Sequence, residues 1–199
     1  MPCLFHPWSA RCVLGGALLL LQTQSAPFVF DLWPGEGRPS FTARAATLEL
    51  RQEPSTAAPV ATRLAVSVGS AVRFDETRVR TVRPGRVVVL AAGSLRGRDL
   101  GATDHLTADA YYAGGEPRDF PLAPGAVIEH LQDRAEGTCL VRLAGRVVDA
   151  ESCPTFDETK YRVESPPAVE WWIRVVSAGR PQGWLLVDPA VVRQGRRSF

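Results

Sequence analysis

The sequence predicts an all-β protein behind an N-terminal targeting segment, and three observations lead there. Short apolar runs, several strictly alternating, recur at roughly ten-residue spacing and stop at turn residues. Gly 17 and Pro 16 are high for a helical chain of 199 residues and fit one with many turns. No stretch keeps a 3.6-residue apolar period long enough for a convincing helix.

Residues 1–25 read as a signal peptide. Arg11 supplies the positive region, Cys12 to Leu21 a short apolar run, and Gln22 to Ala26 a polar, small-residue end. About ten apolar residues fall short of the ~20 that span a bilayer. Cleavage is expected after Ser25, because a cut after Ala26 would put Pro27 first. Cys12 precedes the apolar run, so no lipoprotein is expected. The expected location is periplasmic or secreted. Membrane contact is expected only through this segment, where it stays uncleaved.

Residues 26–41, rich in Pro, Gly and aromatics, read as an irregular connector. Strands are expected at Thr47–Arg51, Leu64–Val68, Ala71–Phe74, Val79–Val82 and Arg86–Ala91, with turns at Gly69-Ser70 and Pro84-Gly85. Glycines 93, 97 and 101 break up the next stretch, and His105 to Tyr112 fits a strand or a short helix. Gly114 to Pro117 marks a boundary. A second series follows: Ala126–Leu131, a hairpin turning at Ala144-Gly145, Val169–Val176 and Gly183–Val187. Thr155 to Pro167, polar with two prolines, reads as an exposed loop.

The cysteines support export. Cys3 and Cys12 fall within the signal, which leaves Cys139 and Cys153 to pair in an oxidising compartment. A hairpin centred near Gly145 to Arg146 places Cys139 roughly opposite Cys153. The alternative is a nucleophilic Cys139 with His130 or His105 as base.

Composition and motifs exclude several classes. A net charge of +2, with arginines scattered singly along the chain and Lys160 as its one lysine, argues against a nucleic-acid binder. Asp104-His105 and Glu129-His130 are neighbours, so on a strand their side chains point apart. There is no His-x-x-x-His, paired Cys-x-x-Cys, phosphate-binding loop or Gly-x-Ser-x-Gly elbow. No catalytic centre, metal or cofactor is therefore expected. Asp75-Glu76 and Asp157-Glu158 read as solvated turns.

Leu48-Glu-Leu-Arg-Gln-Glu-Pro-Ser-Thr-Ala-Ala-Pro-Val60 resembles the opening of a bacterial SH3-like domain. Leu64 to Phe74 resembles the strand, turn and strand that follow. Trp172-Ile-Arg-Val175, a turn at Gly179-Arg180, and Gly183-Trp184-Leu185 resemble the family's closing hairpin. Pro124-Gly125 before Val127-Ile128 resembles its loop into the second strand. The resemblance implies two small SH3-like β-barrels in tandem, at 42–112 and 118–194. The first copy lacks the ending and the second lacks the opening. One divergent domain with a long insertion is the alternative topology.

Strand alternation puts Trp171, Ile173 and Val175 on one face and Trp172, Arg174 and Val176 on the other. Trp171 is then core, and Trp172 beside Arg174 is an outer docking surface for an extended peptide or a glycan. The alternative packs Trp172 on the connector or on the other barrel. Of Tyr111-Tyr112, one ring faces in and Tyr112 is left for a ligand. The resemblance implies a non-enzymatic binding module of the cell envelope, recognising a peptidoglycan peptide or an envelope protein. The alternatives are a structural subunit of an envelope complex and a cysteine-dependent hydrolase.

Overall fold

A computed structural model describes residues 26–33, 35 and 37–195; the signal-peptide reading of 1–25 lies outside them. The chain opens with β1 (Phe28–Phe30), β2 (Phe41–Ala43), β3 (Thr47–Arg51), β4 (Val60–Ala65) and β5 (Phe74–Arg83). Next come β6 (Gly85–Val89), β7 (Gly93–Gly101), β8 (His105–Leu106) and a five-residue helix, α1 (Ala108–Tyr112). Then follow β9 (Arg118–Leu122), β10 (Val127–Asp133), β11 (Cys139–Leu143) and β12 (Arg146–Ala150). The last strands are β13 (Tyr161–Ser165), β14 (Ala168–Ser177), β15 (Arg180–Leu186) and β16 (Val192–Gln194). The all-β class holds.

The strands form two seven-stranded sheets, ordered β4-β3-β15-β14-β5-β1-β8 and β13-β6-β10-β11-β12-β7-β9, plus a β16-β2 pair. Neither sheet closes on itself among the described residues. This pairing corrects the division into 42–112 and 118–194. The ladder between β14 and β5 runs from Ala168↔Arg83 to Val175↔Phe74, across the expected boundary. The strands of the second sheet all fall within 85–165, between β5 and β14 of the first, and β8 in that span pairs back onto β1. Strand–strand adjacency favours neighbours in sequence, but β5 and β14 are both ten residues long and match each other over most of that length.

The expected opening and ending of an SH3-like domain meet in the first sheet, where β3 pairs with β15 at Arg51↔Trp184. They share one core with Phe41, Leu48, Leu50, Ile173, Val175, Leu185 and Val192.

Residues 26–41 are not merely a connector. Phe28 and Phe30 are fully buried in β1, which lies between β5 and β8. They belong to a middle core with Val79, Leu106 and Tyr111, facing Leu131, Leu140 and Val147 of the second sheet. The Thr81 hydroxyl, buried there, donates to the Leu131 carbonyl at 2.7 Å and ties the sheets together. A third core lies on the far side of the second sheet, around Val87, Ile128, Cys139, Val141 and Val148. Hence Cys139, Leu140 and Val141 are all buried: β11 has a core on each face and reads as continuously apolar. Thr155–Pro167 is not all loop either, since β13 within it pairs with β6.

Two hairpins turn through Ala-Gly. Ala144 and Gly145 have φ of 48° and 78°, and Ala178 and Gly179 have 48° and 73°. Two successive positive φ values match the twist of the flanking strands, as in a type I′ turn. The second turn lies one residue earlier than expected, with Ser177 paired to Arg180. No helix among the described residues is long and apolar enough to cross a membrane.

Candidate functional site

A cleft of about 710 Å³ lies between the two sheets. The first sheet's side contributes Asp31, Trp33, Phe74, Asp75, Glu76 and Arg78, and the other side contributes Tyr112, Arg134 and Ala135. Its position follows from the topology. Leaving β1, the chain carries Asp31 and Trp33 along one wall. The start of β5 supplies Phe74 to Arg78, and α1 projects Tyr112 from the opposite side.

The aromatic wall is built edge to face. Trp33 meets Trp171 at 4.7 Å and Phe41 at 5.7 Å, and Phe41 meets Phe74 at 5.6 Å. Arg38 lies over the Phe74 ring at 4.7 Å and donates to the Phe74 carbonyl. Across the cleft, Tyr112 is 72% exposed and touches the buried Tyr111 ring at 5.3 Å. A helical turn explains the contrast, because successive residues point about 100° apart. Thr107 starts that turn, its hydroxyl accepting from the Ala110 amide at 3.2 Å.

Most of the cleft's charges have partners. Asp31 accepts from Arg78 Nε and pairs with His105 Nε2, both at 2.8 Å. Arg174 grips Asp75 with Nε and Nη2 at 2.9 and 2.8 Å, and reaches Glu76 at 2.7 Å. The hydrogen bond from Arg174 holds the Asp75 carboxyl below its usual range, with burial acting in the opposite sense. Asp75-Glu76 is therefore the start of β5, not a solvated turn, and Arg174 is occupied.

Arg134 differs. Its guanidinium lies over Tyr111 at 4.3 Å and over Phe30 at 5.5 Å, with only 17% of the side chain exposed. Its nearest carboxylate, Asp149, is 3.9 Å away. Asp149 Oδ2 is engaged by Arg98 at 2.7 Å and by the Tyr111 hydroxyl at 2.9 Å, while its Oδ1 faces Arg134. Arg134 Nε and Nη1 have no hydrogen-bond partner among the described residues. Arg134 is thus a half-buried cation lining the cleft, with Nε and Nη1 turned into the protein.

Of the expected ligand residues, the structure brings Tyr112 to the cleft and places Arg174 behind Asp75 and Glu76. It does not bring Trp172, which is 1% exposed. The outer-face reading of Trp172 is thus corrected. Its face of β14 is covered: Glu170 accepts from Trp172 Nε1 at 3.1 Å, from Arg80 at 3.0 Å and from Thr56, in the loop after β3, at 3.2 Å. Trp171 is the more open of the two and leans on Trp33.

Cys139 and Cys153 form a disulfide with Cα atoms 5.2 Å apart. Cys139 faces Ala150 in the ladder, and Cys153 returns from just beyond β12. The sequence set His130 beside Cys139 only as the base of a nucleophilic cysteine, and gave no sign of Asp133. His130 is 3% exposed, its Nε2 3.8 Å from Cys153 Sγ and 3.1 Å from Asp133 Oδ1. Burial lowers the His130 pKa, and Asp133 works against that shift. The available signal was that His130 and Cys139 lie on neighbouring strands of one antiparallel pair.

Comparison with family models, with curated proteins and with solved structures returned no match.

Proposed function

We propose that the chain is a non-enzymatic binding module of the cell envelope, exported by its N-terminal segment, whose ligand seats in the cleft between the sheets. The observation that carries this reading is the Arg134 cation, half-buried at the wall opposite the Trp33 and Phe74 rings. The exposed Tyr112 ring beside it offers a flat apolar contact. An extended peptide bearing carboxylates matches that pairing, and a peptidoglycan stem peptide is such a ligand. The cleft's own carboxylates are spent on Arg78, His105 and Arg174, which favours binding over acid–base chemistry. The SH3-like resemblance supports the same reading. Its opening and ending motifs lie side by side in the first sheet, as they would in one such module assembled from both chain ends. Fold alone does not assign the ligand.

The test is retention on isolated peptidoglycan and titration with a stem peptide, comparing the wild type with Tyr112→Ala. Retention by the wild type and roughly tenfold weaker binding by the variant are expected, the loss of one aromatic anchor. Equal binding by both removes the cleft as the site. Absence of wild-type binding overturns the cell-wall reading and leaves an envelope protein as the partner to seek.

A further inference from the structure

The corner around the disulfide holds more polar chemistry than a disulfide needs. A disulfide is neutral and asks for neither an imidazole nor a carboxylate. Yet the His130 ring is buried against it, and burying a polar ring is costly without compensation. A β-bulge brings these groups together. Along β10, His130 pairs with Val141, Gln132 with Leu140 and Asp133 with Cys139. Three steps on one strand thus match two on the other. In a regular strand His130 and Asp133 would point to opposite faces; the extra residue turns both to the cysteine side.

We propose that, once its disulfide is reduced, this corner holds a tetrahedral zinc-class ion through His130 Nε2, Cys139 Sγ, Cys153 Sγ and the Asp133 carboxylate. The donor geometry carries the proposal. Zinc–sulfur bonds of ~2.3 Å and zinc–nitrogen or zinc–oxygen bonds of ~2.0–2.1 Å give tetrahedral edges of roughly 3.3–3.8 Å. The edges already present are 3.8 Å from His130 Nε2 to Cys153 Sγ, 3.1 Å from His130 Nε2 to Asp133 Oδ1 and 4.0 Å from Cys153 Sγ to Asp133 Oδ1. The donor atoms of His130, Cys139 and Cys153 lie within 4.8 Å of one another. The main rearrangement needed is for the two sulfurs to part to ~3.8 Å. Thr155 Oγ1 lies 3.3 Å from Cys153 Sγ, an outer hydrogen bond of the kind that orients thiolate ligands. Access is present: the Asp133 side chain is 68% exposed, and a second cleft of about 250 Å³ is lined by Cys153, Pro154 and Tyr161.

The chemistry balances. A dithiol reductant breaks the S–S bond and closes its own disulfide, its two electrons and two protons passing to the two sulfurs. The ion then displaces the two thiol protons, which leave to solvent. Reoxidation by a disulfide-class oxidant expels the ion. The site is independent of the cleft and its ligand.

The experiment uses the full chain with Cys3→Ser and Cys12→Ser, so that the only thiols are at positions 139 and 153. The protein is reduced with a phosphine, cleared of it and titrated anaerobically with cobalt(II). One equivalent should develop the visible bands of tetrahedral cobalt and a near-ultraviolet thiolate charge-transfer band, both abolished by zinc. The oxidised protein should stay silent. His130→Ala and Asp133→Asn should each weaken cobalt binding by about tenfold or more. Asp133 is exposed, so its variant carries the test if His130→Ala does not fold. A reduced protein without these bands, or an Asp133→Asn variant of unchanged affinity, overturns the proposal.

Discussion

Asp99 accepts hydrogen bonds from Arg146 Nε at 2.9 Å, Arg118 Nη2 at 2.6 Å and the Gly101 amide at 3.0 Å. Burial works against ionisation, but these donors prevail and bring its pKa from 3.8 down to about 2. A depressed carboxylate pKa means the unfolded chain takes up a proton before the folded one does. Its contribution is complete above 3.8 and is lost as pH falls through about 2. Urea denaturation across that interval should therefore show an acid loss that Asp99→Asn flattens. Ala178 lies at φ 48° in a turn that suits Asn better. Ala178→Asn should raise unfolding stability by about 1 kcal/mol, read from the denaturation midpoint. Both alanines sit before glycines, so the turns were legible in sequence. The fate of Trp172 was not: alternation assigns a face but does not reveal what covers it. Glu170, two residues away, gathers Trp172, Arg80 and Thr56, and that convergence exists only after folding.

Most strands sit where alternation and turn chemistry place them, because β3, β11, β12, β14 and β15 each carry their own apolar pattern. β1 is too short for a pattern, and its phenylalanines hide among prolines and glycines. β13 is a mostly exposed edge strand with little apolar signal. The cysteine pairing was legible because the hairpin lies between them. The bulge that turns Asp133 toward Cys139 was not, since an extra residue shows only against its partner strand. Closing a loop of sequence separation 14, the disulfide should matter to the second sheet. Replacing both cysteines by alanine should cost about 3 kcal/mol in chemical denaturation, in the chain-entropy account.

The whole-molecule arrangement was the least legible level. Motif order suggests two consecutive units, whereas long-range pairing builds one sheet from both ends of the chain and nests the other inside it. The middle core belongs to both sheets, with Phe28, Phe30 and Val79 on one side and Leu131, Leu140 and Val147 on the other. Fragments 42–112 and 118–194 should therefore fail to fold alone. Their amide spectra should lack the dispersion of the intact protein, and dispersed spectra from either would contradict the nested arrangement. Co-expression of the two pieces with residues 26–41 restored should recover it.

The pairing of β5 with β14 also sets a timetable. Phe74 must wait for Val175, and Arg83 for Ala168, before the first sheet can be joined. Contacts so distant along the chain are slow to form. Until Val175 has been made, the unpaired edge of β5 is open to other strands. A chain leaving a ribosome or a membrane pore from its N-terminus thus travels without its first sheet complete, and closes it only as the final strands arrive.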